Sequence, residues 1–409
     1  MATTKASSSQ LHLPTLLLVV FIDFVGIGAL IPILPYTVID EFGYSETVMT
    51  ALLACFSLAM FIGNPILGRW SDKIGRKPVL MGSLAVATIA HLVFAFSEHI
   101  ALLFISRIVA GLAAGNIGVI QALIADNTLP EERAKFMGLL GASIGAGFVF
   151  GPALGGLLSG IGGGPLHQAP FTIAAIFTII AFCLCLRLPK MAPIQLADKA
   201  TTSAFSRILT LISGPLGLFA LAFFLLNLSF SQVEAAFVLL LKDAFSYRAT
   251  DTGWIFTYVG VIIIIVEGGL IGRAVKQFGE VGTIIGGASL LMSGQIVTAL
   301  TAAGLIFVAT MPLAVVLICT TMICIGFAFT NPSLSSAASK AARADEMGGA
   351  LGLVQGFGSL GQVIGLAMAG PLYAAGGGQL SFGTGGTIAG LMLVVVLYIG
   401  ARQAKQKAA

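Results

Sequence analysis

The chain has 409 residues, of which 57% are hydrophobic and only 9% are charged, whereas an ordinary soluble domain has about 25% charged residues. So few charges cannot coat a water-soluble protein, and apolar runs of about 20 residues, the length that crosses a bilayer as a helix, recur along the chain. The composition therefore predicts a polytopic α-helical membrane protein, and the continuous apolar runs argue against a β-barrel.

The predicted elements are twelve membrane-spanning helices, delimited by hydropathy and turn residues. In chain order they cover residues 11–36, 47–68, 78–97, 100–125, 134–160, 169–187, 209–241, 249–272, 281–303, 306–329, 346–373 and 379–400. A long polar stretch follows the sixth helix. We therefore expect an N-terminal six-helix half over 1–187, a cytosolic linker over 188–208 and a C-terminal six-helix half over 209–409.

The distribution of basic residues supports this topology. If the N-terminus lies in the cytosol, 18 of the 21 Lys and Arg residues fall in cytosolic segments. Only Lys242 and Arg248 fall on the opposite side, and Arg107 lies within a span. This is the asymmetry of the positive-inside rule for an even number of spans with both termini in the cytosol. We therefore expect a multi-pass protein of the inner (plasma) membrane without a cleaved signal peptide, whose net charge of +4 reflects topology rather than nucleic-acid binding.

The two predicted halves also resemble each other. The string GRWSDKIG at Gly68–Gly75 recurs as GRAVKQFG at Gly272–Gly279, after the second span of each half. Four glycines of the fifth span, 138, 147, 151 and 156, recur 214 residues later at 352, 361, 365 and 370. Two similar six-helix halves predict parallel repeats that move against each other, which is the architecture of a secondary transporter.

The charged string GRWSDKIGRKPVL, Gly68–Leu80, is the most specific motif in the chain. We expect a loop in which Gly68 and Gly75 permit a tight reversal, Asp72 bonds helix N-terminal amides of the other half and Arg76 pairs with Asp126. Such contacts would make it a conformational latch. The alternative is a basic loop that only fixes the orientation of the protein in the membrane.

These residues resemble the major facilitator superfamily, whose signature between helices 2 and 3 is complete at Gly68, Asp72, Lys73, Gly75, Arg76 and Lys77. The first helix, Phe21–Pro35, is similar to that of the drug:proton antiporters with twelve spans. ISRIVAGLAAG at Ile105–Gly115 resembles their fourth-helix motif, and GAGFVFGPALGG at Gly145–Gly156 resembles the fifth-helix motif of antiporters. The first half is most similar to the tetracycline/proton antiporters.

The resemblance implies the major facilitator fold, with twelve helices in two pseudo-symmetric halves. It implies export of small amphiphilic compounds, drugs among them, in exchange for protons by alternating access. In that family the latch stabilises the outward-facing state, a role carried over to Gly68, Asp72, Gly75, Arg76 and Asp126. The antiporter motif falls on Gly147, Gly151, Pro152, Gly155 and Gly156. The Gly-Pro pair bends or loosens the helix, or the glycines serve only close helix packing.

Three charged residues within the spans are the candidates for proton coupling: Asp23, Arg107 and Glu267. A charge at the bilayer centre costs a few kcal/mol, so each should face the bundle interior with a partner. Asp23 matches the first-helix acid of the family and is the leading protonation site, with Arg107 as its counter-charge. A purely structural Asp23–Arg107 pair is the alternative. Glu267 replaces a frequent glutamine, and either binds a second proton or cation or pairs with Arg273.

An aromatic, apolar cavity would suit an amphiphilic substrate. Its candidate lining residues are Phe24, His91, Asn116, Gln121, Asn227, Phe230, Glu234, Phe237, Trp254 and Gln355. The third span carries Ala90 and His91 where the tetracycline antiporters carry an aspartate, which argues against tetracycline itself. His91 titrates near neutral pH if it faces the cavity, and otherwise is a packed side chain.

Several classes of function find no support in the sequence. The chain contains no phosphate-binding G-x-x-x-x-G-K-[ST] motif, and its histidines and five cysteines form no metal-binding pattern. We therefore expect neither an enzyme nor a cofactor or metal site. The expected partners are a small-molecule substrate, protons and membrane lipids, and the expected state is a monomer. Symport or export of a specific metabolite is the alternative, and a non-transporting receptor or lipid-handling protein is a third.

Overall fold

The computed structural model describes residues 13–127, 130–159, 161, 163–188, 215–305, 313–341 and 347–408. Within these ranges the chain forms α-helices, π-helical segments and turns. The predicted linker over 188–208 lies outside the described residues except for Leu188, which is buried.

The α-helices of the described ranges are numbered here in chain order. They are α1 Leu13–Gly28, α2 Glu46–Ile74, α3 Arg76–Ala95, α4 Ile100–Ala114, α5 Ile117–Asn127, α6 Pro130–Leu158, α7 Gln168–Leu186, α8 Pro215–Phe245, α9 Ala249–Ile265, α10 Ile271–Ala302, α11 Leu313–Ala341 and α12 Met347–Ala408. Two π-helical segments, Tyr36–Glu41 and Val266–Leu270, lie before α2 and between α9 and α10.

The described helices are compatible with twelve membrane crossings. Nine helical stretches within the described ranges are long and apolar enough to cross a membrane, and two of them, Ala249–Ala302 and Gly352–Lys405, have 54 residues each. A helix of that length extends about 80 Å, more than twice the hydrocarbon thickness of about 30 Å, so each accommodates two crossings. Counting these two twice and adding the shorter apolar helix Pro14–Gly28 gives twelve.

Two predicted spans are not continuous helices. The first span, expected to run to residue 36, ends as α1 at Gly28 and continues as a turn over 29–33. This turn contains Pro32, which lacks an N–H donor and disfavours a helical residue before it. The fourth span is interrupted by a turn at Gly115 and Asn116, between α4 and α5. Hydropathy does not detect such breaks, because a turn within an apolar run leaves the composition unchanged.

The expected loop at Gly68–Gly75 is wrong, because α2 stays helical to Ile74 and the reversal uses Gly75 alone. Gly75 has φ 99° and ψ 153°, and the repeat-related Gly279 has φ 71° and ψ 172°. This backbone region is open essentially only to glycine. Water at a membrane surface solvates charged side chains, so the charged residues before each glycine do not end the helix. The two strings thus share a backbone conformation as well as a sequence.

The chain divides into two compact units. The first contains residues up to Ile33 together with Ala59–Asp198, and the second contains Leu34–Leu58 together with Lys199–Ala409. In the first unit α1 packs against α6 and α7, and α3 packs against α7 and α4. In the second unit α12 packs against α8 and α10, and α10 packs against α11. The segment Leu34–Leu58 therefore belongs to the second unit, although it precedes most of the first in sequence.

Candidate functional site

Asp23 lies in the packed interior of the first unit, on α1, with only 6% of its surface exposed. Its apolar neighbours on α1, Val19, Val20 and Phe24, are also buried and belong to the core of this unit. The Oδ2 atom of Asp23 accepts a hydrogen bond of 3.5 Å from Nδ2 of Asn116. The carboxyl group that the sequence singles out is thus enclosed, and an amide is its described hydrogen-bond partner.

Asn116 reaches Asp23 because of the break between α4 and α5. Its backbone N–H donates to the carbonyl oxygen of Ala113 at the end of α4, and its own carbonyl oxygen accepts the N–H of Ile120 at the start of α5. The side chain is 2% exposed, and Nδ2 also lies 3.1 Å from Oγ of Ser83 on α3. Asn116 therefore joins α1, α3 and the α4–α5 break, and it is buried rather than lining an open cavity.

Arg107 is 1% exposed and lies among aromatic rings of the first unit. Its guanidinium carbon is 4.7 Å from the ring centroid of Phe94 and 5.0 Å from that of Phe171. The two rings stack on each other with centroids 4.0 Å apart. Such cation–π contacts stabilise a desolvated cation. The predicted Asp23–Arg107 pair stays a prediction.

His91 is a packed side chain in this structure. It is 2% exposed on α3, and its Nδ1 atom lies 3.3 Å from Oγ1 of Thr178 on α7. Its ring packs edge-on against Phe171 at a centroid distance of 6.0 Å. The structure thus favours the structural alternative for His91 over a place on an open cavity.

The glycines of the antiporter motif lie where α6 meets α1. A Cβ atom at Gly147 would lie 2.4 Å from Cβ of Phe24, and one at Gly151 would lie 2.7 Å from the carbonyl oxygen of Val25. A Cβ atom at Gly155 would lie 2.0 Å from the carbonyl oxygen of Ala29. Small residues therefore permit close helix packing here. Pro152 lies within the same helix, as does the buried Gly156, which accepts a hydrogen bond from Ser159.

The repeat-related glycines of the second unit make the equivalent contact. A Cβ atom at Gly361 on α12 would lie 2.3 Å from the carbonyl oxygen of Phe224 on α8, and one at Gly365 would lie 2.6 Å from Cβ of Ser231. In each unit the motif glycines therefore pack a late helix against an early one. The internal repeat that the sequence indicates has this physical counterpart.

Four of the five predicted latch residues lie at the end of α2 and the start of α3. Arg76 Nη1 is 2.6 Å from Oδ1 of Asp72 and 2.6 Å from Oγ of Ser71. A Cβ atom at Gly68 would meet open space. Asp126, the expected partner of Arg76, lies on α5, and its side chain is outside the described residues. The sequence did not lead us to expect the ion pair between Arg76 and Asp72.

The second unit holds two further acidic groups of the spans. Glu234 on α8 accepts a hydrogen bond of 3.3 Å from Nε2 of Gln362 on α12. Glu267 is exposed and belongs to the π-helical segment Val266–Leu270. Two glycines follow it, Gly268 and Gly269, and a Cβ atom at either would meet open space. Single π-helical turns within α-helices often mark functional positions.

The remaining cavity candidates are spread over several environments. Phe24 and Phe237 are buried, Asn227 and Phe230 are half-buried, and Gln121, Trp254 and Gln355 are exposed. Phe230 stacks on Phe327 at 3.9 Å, Phe237 packs edge-on against Phe256, and Phe24 packs edge-on against Phe148. Asn227 donates a hydrogen bond to the carbonyl oxygen of Phe223 within its own helix. Phe24 and Gln121 belong to the first unit, and the other candidates of this group belong to the second.

A buried amide network in the second unit was largely missed. Nε2 of Gln295 donates to Oγ of Ser229, which donates to the carbonyl oxygen of Gly385, each at 2.8 Å. Gln232 donates to the carbonyl oxygen of Gly365 at 2.9 Å. The three polar side chains are fully buried. The signal available in the sequence was the presence of amide side chains within apolar spans, where they need partners.

A polar cluster around the segment Tyr36–Glu41 was also missed. The Tyr36 hydroxyl donates to the carbonyl oxygen of Tyr247 at 2.7 Å and lies 3.0 Å from Oγ1 of Thr252. Lys242 forms an ion pair with Asp40. The signal in the sequence was Lys242 itself, one of the two basic residues that fall on the side opposite to the cytosol. All these contacts lie within the second unit.

Comparison with known proteins identifies similar chains. The family model described as the Major Facilitator Superfamily matches residues 16–348. Multidrug resistance protein 1 of Bacillus subtilis (strain 168) is 31% identical over 372 residues, which cover 89% of this chain and 90% of that protein. Tetracycline resistance protein, class C, of Escherichia coli is 32% identical over 296 residues, which cover 70% of this chain and 72% of that protein.

Solved structures of low sequence identity share the fold. The human organic anion transporter MFSD10 (TETRAN) has a TM-score of 0.71 and 22% identity, covering 94% of this chain and 98% of its own. The nucleoside transporter NupG, as a mutant, has a TM-score of 0.74 and 15% identity, covering 95% of this chain and 99% of its own.

Proposed function

Since the chain belongs to the Major Facilitator Superfamily, we propose that it exports small amphiphilic compounds, drugs among them, in exchange for protons by alternating access. Membership makes it a multi-pass membrane transporter of small molecules with the major facilitator fold, and not an enzyme. The expected fold and family are thereby confirmed. The direction of transport, the proton and the substrate class are the content of the proposal.

The names of the relatives support the export of drugs. Multidrug resistance proteins 1 and 2 of Bacillus subtilis align with 89% and 87% of this chain, and tetracycline resistance proteins of several classes align with about two thirds of it. We favour amphiphilic compounds over tetracycline itself, because Ala90 and His91 stand where the tetracycline antiporters carry an aspartate, and His91 is buried. The candidate lining residues of the cavity stay predictions.

The single observation that carries the proton mechanism is the buried carboxyl group of Asp23 on the apolar helix α1. Acidic groups within spans are rare because their burial is costly, and they mark proton relays and ion pathways. Proton binding and substrate binding that compete within the same bundle give antiport. In this proposal Asp23 is the main proton site, Arg107 is a counter-charge in the same unit, and Glu267 is a second candidate site.

The remaining roles follow the family. Gly68, Asp72, Gly75, Arg76 and Asp126 would form the latch that stabilises the outward-facing state. The close packing of α6 on α1 through Gly147, Gly151 and Gly155 supports a role of the antiporter motif, with Pro152 and Gly156, in helix movement. We further propose a monomer in the plasma membrane with both termini in the cytosol, functional halves over 1–187 and 209–409 joined by the linker 188–208, and no cofactor beyond the proton gradient.

The test uses everted membrane vesicles with an acidic lumen and a pH-sensitive dye. Addition of a substrate drug to vesicles that contain the wild-type protein is expected to release protons from the lumen, since the drug enters in exchange. The variant Asp23→Asn is expected to bind the drug but to lose this proton release, because an amide cannot take up a proton. A panel of amphiphilic drugs that includes tetracycline identifies the substrate.

The matched control is Glu98→Gln, which makes the same chemical change at an exposed position before α4 and is expected to leave proton release unchanged. Full proton-driven export by Asp23→Asn would refute Asp23 as the proton site. If counterflow assays show that the substrate enters the cell together with protons, the function is symport rather than export.

A further inference from the structure

The amide group of Asn116 is placed between a carboxyl group and a hydroxyl group. Its Nδ2 atom lies 3.5 Å from Oδ2 of Asp23 and 3.1 Å from Oγ of Ser83. Its Oδ1 atom is buried and has no hydrogen-bond partner among the described residues. A buried acceptor without a donor is costly, so this oxygen is available for a donor that another state of the site supplies.

Each group of this site can reverse its hydrogen-bonding role. An ionised carboxylate only accepts, whereas a protonated carboxyl group also donates one O–H. An amide presents two donors on nitrogen and two lone pairs on oxygen, and rotation by 180° exchanges them in nearly the same volume. The Ser83 hydroxyl donates to the carbonyl oxygen of Leu80 at 2.8 Å, and a hydroxyl can rotate to donate elsewhere.

We propose that Asn116 is the positioning residue of the proton site, which donates from Nδ2 to ionised Asp23 and accepts at Oδ1 from protonated Asp23. The amide would satisfy both protonation states of the buried acid, so that neither state leaves Asp23 without a partner. This inference rests on the proposed role of Asp23 in proton coupling. It replaces the expectation that Asn116 contacts the substrate.

The position of Asn116 adds a consequence for the helices. Its backbone forms the turn between α4 and α5, and a Cβ atom at the preceding Gly115 would lie 2.4 Å from the backbone nitrogen of Asn64 on α2. The turn is therefore tightly packed against α2. The buried side chain of Asn116 has little freedom there except rotation of its amide group. A change of protonation at Asp23 would therefore change the hydrogen bonds of the amide at the α4–α5 break.

Other titratable groups near Asp23 lie on three helices. Cys185 on α7 is buried in the same core cluster as Val20 and Phe24, the neighbours of Asp23 on α1. His91 on α3 approaches α1, with Cε1 3.4 Å from the Cβ position of Gly26. Arg107 on α4 lies over the ring of Phe171, which the ring of His91 also contacts. The described side chains of α6, which also packs on α1, include no titratable group. The amide of Asn116 donates a hydrogen bond to the carboxyl group of Asp23.

The experiment compares Asn116→Ala with the wild type in purified, reconstituted protein and in the everted vesicles. Removal of the amide takes a charge-assisted hydrogen bond from ionised Asp23 and a weaker neutral one from protonated Asp23. The ionised form therefore loses more, and the pH of half-maximal substrate-induced proton release is expected to rise by up to about one unit. Drug binding at low pH is expected to stay within about twofold. Asn116→Ser keeps a shorter group that donates and accepts, so its midpoint is expected to lie between those of the wild type and Asn116→Ala.

The matched control is Asn64→Ala, which makes the same change beside the same helix break without a described bond to Asp23. A structural effect of the break would shift both Ala variants alike, whereas the proposal predicts a shift for Asn116→Ala alone. If Asn116→Ala does not fold, the nearly isosteric Asn116→Leu takes its place with the same expected shift. An unchanged midpoint in the folded variant overturns the inference.

The variant Asp23→Asn separates this inference from the proposed function. If Asp23→Asn keeps proton-driven export, the export function stands but the proton site is elsewhere, so the role of Asp23 and the inference on Asn116 both fail. If Asp23→Asn loses proton release while Asn116→Ala keeps the wild-type midpoint, the function stands and only the role of Asn116 is wrong.

Discussion

At the residue scale, the glycines between α6 and α1 illustrate how much depends on one missing methyl group. The Cβ atom of an alanine at Gly151 would lie 2.7 Å from the carbonyl oxygen of Val25 and 2.8 Å from Cα of Gly28. Both neighbours are backbone atoms, which cannot rotate away as a flexible side chain does. An alanine would therefore force α1 and α6 apart.

We expect Gly151→Ala to lower the free energy of unfolding by about 1–3 kcal/mol, the usual cost of overpacking a core. Thermal unfolding of the purified protein measures this loss. The matched control is Gly286→Ala on α10, where a Cβ atom would meet open space and alanine should raise helix stability slightly. Equal effects of the two substitutions would contradict the assigned helix contact.

At the scale of elements, the segment Tyr36–Glu41 is held to the rest of the second unit by two contacts of different strength. The ion pair between Asp40 and Lys242 is partly exposed, with 47% and 20% of the two side chains accessible, and exposed ion pairs contribute about 0–1 kcal/mol. The Tyr36 hydroxyl, by contrast, bonds the carbonyl oxygen of Tyr247 and the buried Thr252. Removal of that hydroxyl takes a partner from the buried Thr252 hydroxyl and from the partly buried carbonyl oxygen of Tyr247, at a cost of about 1–3 kcal/mol.

We therefore predict that Tyr36→Phe accelerates hydrogen exchange of the backbone amides over residues 36–45 more than Asp40→Asn does. Exchange followed by mass spectrometry in detergent provides the comparison, with both variants at the same pH and salt concentration. Faster exchange in Asp40→Asn than in Tyr36→Phe would show that the ion pair is the stronger contact.

The same scale shows what the sequence could and could not predict. Hydropathy located the helices, and the repeated glycines indicated contacts that the structure shows in both units. The breaks at 29–33 and at Gly115–Asn116 escaped notice, because a turn inside an apolar run does not alter mean hydropathy. Asp23 was singled out by its charge within a span and by its match to the first-helix acid of the family. Its amide partner lies 93 positions away in sequence and follows only from the packing of α1, α3 and α4.

At the scale of the whole molecule, topology rests on the placement of basic residues rather than on any one contact. Eighteen of 21 fall in the segments assigned to the cytosol, and the rule predicts both termini there. The helices of the described ranges allow twelve crossings, an even number that agrees with termini on the same side.

Cysteine labelling tests this topology in a variant without the native cysteines. We expect Tyr44→Cys, at a position with 42% exposure between the first two spans, to react with a membrane-impermeant maleimide in intact cells. Lys5→Cys and Lys405→Cys are expected to react only after permeabilisation. Reaction of either terminal position in intact cells would overturn the predicted orientation.

The shared backbone conformation of Gly75 and Gly279 bears on the history of the chain. Both have φ and ψ values that are essentially restricted to glycine, so any missense mutation of either codon introduces strain. If the two halves arose by duplication of an ancestral gene, most positions between them were free to diverge, as the strings GRWSDKIG and GRAVKQFG show. The codons of Gly75 and Gly279 were not free to diverge in this way. They therefore mark the register in which the duplicated copies should be aligned.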